Sequence, residues 1–448
     1  MGRRGVSDLP SANSRDRQPS TIEGGSLDGL TILRFARAYE QGGGVEGHLA
    51  DLNRVLGERN RITTIQLQLA SNAGRLEPTE QRHCGSTLIT VPLMAAAEAQ
   101  SFGAAPAGAS WLSRSKQMVV NCLLPTPGMN AAAMEWLSKR RRIPLRGGEA
   151  EGAGAKAAEI LRQFKVDLVA LHACGGRDSS DVIDVARSAG IPTAIVHHFS
   201  NDRLGAVSAR QQVCRAAGVG GASLVGVPRY LKNTFWNLSD AVDTDFYNRS
   251  NARPIDTAPT EPYIFAPGRY TPEKGQIDVI EVVYRLTLRG LRPKVVFAGR
   301  ADAPAFEAHL RGLVEQRGLG DLVTFLGALS LEQYRDWYYG AAVMLMPTLH
   351  GEGMPRTLIE SQAMQVPPVV YDIGGTSEGV RDGDTGFLVK RGDVEGMAAA
   401  AERLLGDQRL QQSMGRAGRR FVELSFSLPA LAERHEQFYA HVLGRRPR

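Results

Sequence analysis

The stretch from Leu345 to Lys390 constrains the fold of this chain more than any other. The apolar run Val343 to Met346 reads as a buried strand and Pro347 to Met354 as a loop. Pro355 then opens a helix at its first position, where a missing N–H costs nothing. Glu352 falls in the loop, beside the unpaired N–H groups of the helix start, and Glu360 lies about a turn and a half further along. The two acids are expected to face one crevice. A second unit of the same kind follows: the apolar run Pro368 to Tyr371, the turn Gly374-Gly375, and a short helix capped by Thr376 and carrying Glu378.

The same alternation of strand, turn and helix runs through the rest of the chain. Thr31 to Ala36 reads as a strand, and Gly42, Gly43 and Gly44 as a tight turn. A helix with Leu49, Leu52, Val55 and Leu56 on one face follows, then a strand from Ile62 to Ala70. Such a βαβ unit is parallel and right-handed. Val166 to His172 and Thr193 to His197 are expected strands flanking a helix, Ser180 to Ala189. Ser223 to Val227 is the expected last strand of this block, with Pro228 opening a helix. Asn248 to Pro262, with three prolines and few apolar residues, reads as a linker.

The alternation restarts at Tyr263 to Pro267. Ile277, Ile280, Tyr284 and Leu288 mark a helix face, and the strands Lys294 to Ala298 and Leu322 to Leu326 flank a helix from Ala305 to Gln316. Helices are expected at Val394 to Leu405, Gln408 to Leu424 and Leu428 to Leu443. A chain of 448 residues exceeds one ordinary core. The expected class is α/β, with two Rossmann-like doubly wound domains at 29–250 and 263–427. A disordered leader (1–28), a linker (251–262) and a terminal helix (428–448) complete the division.

Composition narrows the setting. Hydrophobic residues at 43% and charged residues at 22% describe a soluble protein with no apolar window long enough to span a membrane. The N-terminus lacks the apolar core of a signal peptide, and Val6 occupies the place where a myristoylation motif needs Ser or Thr, so a cytoplasmic location is expected. Cys84, Cys122, Cys174 and Cys214 form no CxxC pair and are expected to be reduced and buried, with neither a zinc site nor a disulfide framework. A net charge of +6 suits an anionic substrate or membrane surface.

The Glu-x7-Glu spacing of GEGMPRTLIES resembles the signature of the family 4 retaining glycosyltransferases of the GT-B fold. Three further segments resemble that family in order and spacing: PGRYTPEKG, GGTSEGVRDGDTGFLV and NLSDAVDTDFY. The resemblance covers roughly Thr31 to His441. It implies two domains facing each other across a cleft, with the last helix crossing back to brace the first.

The resemblance also implies roles. Arg269 and Lys274, at a strand-to-helix turn, would hold the donor diphosphate, Arg as a bidentate grip and Lys as a point charge. Glu360 would accept hydrogen bonds from the ribose, and Glu352, with Gly353 and Met354, would approach the donor sugar. GGGVEG is similar to the family's GGxE turn, where Gly43 and Gly44 let the backbone approach the phosphates. His172, His197 and His198 end strands on the acceptor side, and His198 matches a position where family members often carry a histidine. Glu352, Arg269, Lys274 and His198 form the expected catalytic set.

Family enzymes are commonly described by a front-face mechanism, in which a donor phosphate oxygen accepts the acceptor's proton and no protein base is needed. Metal is not expected. The pairs Asp243 with Asp245 and Asp382 with Asp384 match DxD literally, but the first falls in the family's VDT segment and the second in a turn. No cofactor is expected, because a nucleotide-sugar is a substrate.

The expected partners are a UDP- or GDP-sugar and a glycan, lipid-linked or small-molecule acceptor, with no nucleic acid. The basic run Lys139, Arg140, Arg141, Arg142 and Arg146 beside Trp136 suits peripheral contact with the inner face of a membrane. Two other readings stand beside the transferase. One is a non-catalytic sugar-nucleotide-binding activator, which would be expected to lose Lys274 or Glu352 first. The other is a GT-B epimerase or phosphorylase. One departure concerns the linker approach, where Asp240-Ala241-Val242-Asp243 stands in place of the family's NGVD.

Overall fold

The structure is a computed structural model that describes residues 27–36, 44–60, 62–70, 79–83, 86–94, 153–172, 177–198 and 207–444. Gly42, Gly43, Cys84, Cys122, Cys174, Trp136, the basic run Lys139 to Arg146 and the leader up to residue 26 lie outside the described residues.

Eight strands form the first sheet: β1 (Thr31–Ala36), β2 (Thr63–Ala70), β3 (Thr79–His83), β4 (Ser86–Met94), β5 (Leu168–Leu171), β6 (Thr193–His197), β7 (Gly218–Gly221) and β8 (Phe235–Asn237). Their order is β3-β4-β2-β1-β5-β6-β7-β8. All pairs are parallel except the β3–β4 hairpin at one edge. Helices α1 (Gly44–Arg59), α2 (Ala153–Gln163), α3 (Arg177–Ser188) and α4 (Val207–Val213) supply the crossovers. Strand order reverses between β1 and β5, and ligands of such sheets bind at this kind of switch point, beyond the carboxyl ends of the strands.

The second sheet comprises β9 (Tyr263–Pro267), β10 (Val295–Ala298), β11 (Val323–Phe325), β12 (Ala341–Met346), β13 (Pro368–Tyr371) and β14 (Phe387–Val389). Its order is β11-β10-β9-β12-β13-β14, parallel throughout, with the switch point between β9 and β12. Around it lie α5 (Gln276–Leu288), α6 (Pro304–Gln316), α7 (Leu331–Gly340), α8 (Arg356–Ala363), α9 (Thr376–Gly379), α10 (Val394–Gly406) and α11 (Gln408–Ser425). The strands other than the edge strand β11 are largely buried, and one apolar cluster fills each side of the sheet. The molecule is thus two Rossmann-like doubly wound domains, the GT-B architecture. Among the described residues no helix is long and apolar enough to cross a membrane.

The last helix, α12 (Leu428–Val442), leaves the second domain and buries Leu431, Phe438, Tyr439 and Val442 in the core of the first. β7 explains how it fits. A Cβ on Gly218 would lie 2.6 Å from Val442 and 2.9 Å from Phe438, so the helix seats where this position has no side chain.

Two expectations are corrected. Ser223 to Val227 is a turn; the run just before it, Gly218–Gly221, takes the strand position, and Pro228 leads only into a single 3-10 turn, Arg229–Leu231. Glycine disfavours strands by propensity, but here close neighbours leave no room for a Cβ: α12 at Gly218, Leu238 at Gly220 and the His197 carbonyl at Gly221. Cys214 is exposed rather than buried. The expected linker carries no helix or strand and is tied at its start to the second domain: Arg249 donates to the carbonyls of Tyr339 at 2.8 Å and Met364 at 3.3 Å, and Arg253 N–H donates to Asp336 at 3.1 Å.

Candidate active site

The loops after β9 and β12 leave the second sheet on either side of its switch point and are tied to each other. Leu349 N–H donates to the Glu273 carbonyl at 2.7 Å, and the Thr348 hydroxyl reaches the same oxygen at 3.2 Å. Gly275 sits between them at φ 72°, where a Cβ would come within 2.0 Å of the Pro347 carbonyl. Only glycine lets the loops close this far. The closure sets Lys274 Nζ 2.5 Å from Glu352 Oε1, which also accepts from the Thr348 hydroxyl at 3.0 Å. Residues 78 apart in sequence therefore form one cation–carboxylate pair.

Arg269, on the β9 side of the same turn, is more than half exposed and pairs with Asp302. Its carbonyl accepts from the Gln276 side chain at 2.7 Å, which fixes the turn's backbone. Pro355 precedes α8 as its cap, one position earlier than its sequence reading, and Glu360 lies in the second turn. Glu360 is buried, and burial pushes its carboxyl above the usual range while the Arg356 guanidinium, 3.8 Å away, pulls it down. The Tyr247 phenol is pushed up by burial first and by the adjacent Glu360 next. Gly353 and Met354 are buried behind Glu352, whose carbonyl accepts from Gly375 N–H at 2.9 Å.

Glu352 and Glu360 stand in different settings. Glu352 is about a quarter exposed and paired, whereas Glu360 faces a guanidinium in the interior.

The cleft is closed by contacts between domains. Arg356 Nη1 lies 2.9 Å from Asp51 Oδ2 on α1. Glu378 Oε1 accepts from Ser223 Oγ at 2.6 Å and from the N–H groups of Leu224 and Val225 at 2.6 and 2.7 Å. The turn that replaced the expected strand therefore spends its backbone donors on a carboxylate of the other domain. A Cβ on Gly353 would stand 2.8 Å from the His198 carbonyl, so the Glu352 loop abuts the end of β6.

On the first-domain side the structure brings His172 and His198 together, Nδ1 to Nε2 at 3.0 Å. Both rings are buried, so neither is presented to the cleft as a free base. His197 is buried too, on the opposite face of the alternating strand. Gly44 begins α1, and its neighbour Gly43 is outside the described residues. Asp243 accepts from the N–H groups of Asp245 and Phe246 at 3.0 Å each, and Asp382 accepts from Leu388 N–H at 2.9 Å, so both act on backbone geometry.

Sequence reasoning passed over Arg356, Asp51, Thr348 and His48. His48 and Asp51 stand four and seven residues after Gly44 on the helix that the Gly-rich turn opens, and that helical spacing toward the cleft was the available signal.

Residues 248–421, which carry Arg269, Lys274, Glu352 and Glu360, match the sequence family of glycosyl transferases group 1. The chain is similar to the capsular polysaccharide biosynthesis glycosyltransferase CapM of Staphylococcus aureus, with 36% identity over 175 residues, covering 38% of this chain and 44% of the relative. It is also similar to the alpha-D-kanosaminyltransferase of Streptomyces kanamyceticus, with 31% identity over 181 residues, covering 40% and 46%. The chain thus spans less than half the length of these curated relatives.

Among solved structures, a glycosyltransferase from Rickettsia africae ESF-5 superposes with a TM-score of 0.65 at 16% identity, over 93% of this chain and 99% of that one. HepE of Anabaena in complex with UDP and glucose does so with a TM-score of 0.62 at 14% identity, over 92% and 99%. The chain thus has the GT-B fold, and a segment lying almost wholly in its second domain resembles group 1 glycosyl transferases.

Proposed function

We propose that this protein is a retaining, family 4 type glycosyltransferase that moves a sugar from a UDP- or GDP-sugar to a glycan, lipid-linked or small-molecule acceptor in polysaccharide or glycoconjugate assembly. The observation that carries the reading is the Lys274–Glu352 pair at the second sheet's switch point, with Arg269 half-exposed on the same turn. Negative charge grows on the leaving diphosphate as the sugar's bond breaks, and fixed cations stabilise it without a metal. In the free protein Lys274 is neutralised by Glu352. An incoming diphosphate would take over the ammonium, freeing the Glu352 carboxylate for the sugar's hydroxyls.

Glu360 and the Tyr247 phenol line the place of the ribose in this reading, with the Arg356 guanidinium 3.8 Å from the Glu360 carboxylate. The leaving phosphate oxygen would take the acceptor's proton on the face it departs from. The burial of His198 suits a route with no protein base.

The rival reading, a non-catalytic partner, is disfavoured by the intact Lys274–Glu352 pair. Screening UDP- and GDP-sugars by thermal stabilisation tests the proposal. A donor at roughly 100 times its Kd adds about 2.7 kcal/mol. A matched donor is expected to raise Tm in the wild type and to do so much less in Glu360→Gln. No stabilisation by any sugar nucleotide or nucleoside diphosphate would overturn the reading.

A further inference from the structure

Arg356, the first residue of α8 after its proline cap, reaches out of the second domain onto the first. Its guanidinium lies against α1 at Gly47, where a Cβ would stand 3.4 Å from both Cζ and Nε. Asp51, about one turn further along the same helix, meets it with Oδ2 2.9 Å from Nη1, and both side chains are mostly buried. One face of α1 therefore supplies the contact and the counter-charge together. Asp240, also of the first domain, adds to the negative field around the guanidinium. On its own helix Arg356 has a different acid, with Nε 3.8 Å from Glu360 Oε1 one turn away.

The two distances divide the arginine unequally between the domains. A charge-assisted N–H···O contact closes at about 2.7–2.9 Å, so Asp51 is at contact and Glu360 stands about 1 Å outside it. The Glu360 oxygens are thus not spent on the guanidinium. A largely buried guanidinium is costly to leave without a carboxylate. Were Asp51 withdrawn, by opening of the cleft or by substitution, Glu360 is the acid that would remain on Arg356's own helix, and a side-chain shift of about 1 Å would join them.

We propose that Asp51 is a positioning residue for the donor: by holding Arg356 on the first domain it keeps the Glu360 carboxylate free for the ribose hydroxyls, so that the donor affinity of the second domain depends on its contact with the first.

The inference rests on the reading of Glu360 as the ribose acid. Simpler charge effects of Asp51 run the opposite way. Its carboxylate opposes ionisation of Glu360, so Asp51→Asn would leave Glu360 more readily ionised. Removing a negative charge would also, by Coulomb's law alone, tighten the binding of an anionic nucleotide. Weaker binding in Asp51→Asn is the result that follows from Arg356 turning onto Glu360.

The test is isothermal titration calorimetry of the full chain with UDP, GDP and their 2′,3′-dideoxy counterparts, in the wild type, Asp51→Asn, Glu360→Gln and the double variant. Asp51→Asn is expected to weaken the ribonucleotide that binds by at least about 5-fold, the low end of coupling between sites. Its dideoxy counterpart, which has no hydroxyls to offer Glu360, is expected to change by no more than about 2-fold, and Asp51→Asn is expected to add no loss in the Glu360→Gln background. A merely structural role for Asp51 would weaken both nucleotides alike. Thermal melts check folding, and Asp51→Ser takes the place of Asp51→Asn should the latter not fold. Ribonucleotide affinity that is unchanged or tighter, equal losses for the ribo and dideoxy forms, or additive losses in the double variant would overturn the inference while leaving the proposed function in place. Glu360→Gln that weakens ribo and dideoxy forms equally would remove the ribose reading itself, and this inference with it.

Discussion

Replacing Lys274 by Ala separates chemistry from fold. In the free protein the Lys274 and Glu352 side chains are about a quarter exposed, so solvent screens their attraction and the pair contributes at most about 1 kcal/mol to stability. Glu352 keeps the Thr348 hydroxyl as a donor at 3.0 Å, so its carboxylate is not stranded. A loss of about 1 kcal/mol lowers the Tm of a domain this size by about 2–4 °C. In the transition state the ammonium meets charge that is still growing, and losing one such donor costs about 3–4 kcal/mol, or roughly 100- to 1,000-fold in kcat. Donor turnover, followed by release of nucleoside diphosphate beside a thermal melt, is therefore expected to fall steeply in a protein that melts almost normally. Undiminished turnover in Lys274→Ala would refute the leaving-group role.

Glu360→Gln is expected to raise KM for the donor more than it lowers kcat, whereas Glu352→Gln lowers kcat first. Because burial raises the Glu360 carboxyl in the folded state, its favourable contribution is full below the unfolded carboxyl pKa and is lost as pH rises through the folded one. Glu360→Gln is therefore expected to stabilise the ligand-free protein more at pH 7 than at pH 4 in paired thermal melts. Gly218→Val would push into Val442 and Phe438, unseat α12 and destabilise the fold by about 1–3 kcal/mol in denaturant titration. Neutralising Lys139, Arg140, Arg141 and Arg142 is expected to release the protein from anionic vesicles, at about 1 kcal/mol per cation, in a flotation assay.

Much of this architecture was legible because βα units write themselves twice in sequence, as an apolar run and as a turn. β6 is read residue for residue and β9 likewise, and α8 begins one residue after its proline because a proline cap leaves little freedom. What escaped was set by tertiary contact. Gly218 has no room for a side chain because α12, more than 200 residues later, packs on it, and Gly220 and Gly221 have none because Leu238 and the His197 carbonyl lie against them. α7, with its capping box of Ser330 and Gln333, carries too mixed an apolar pattern to declare itself. In the site, Arg269, Lys274, Glu352 and Glu360 were named by motif, but the Lys274–Glu352 pairing and the gathering of three histidines depend on closure between segments distant in sequence, and the Arg356–Asp51 bridge on closure between the two domains. No local pattern encodes that closure.

Proton NMR of the sugar released from an α-linked nucleotide-sugar, recorded before the anomers equilibrate, tests retaining transfer from this site most directly. The account predicts that the α-anomer appears first, in step with nucleoside diphosphate, and that both signals collapse in Lys274→Ala. A β-anomer appearing first, or release that is indifferent to Lys274, would contradict it.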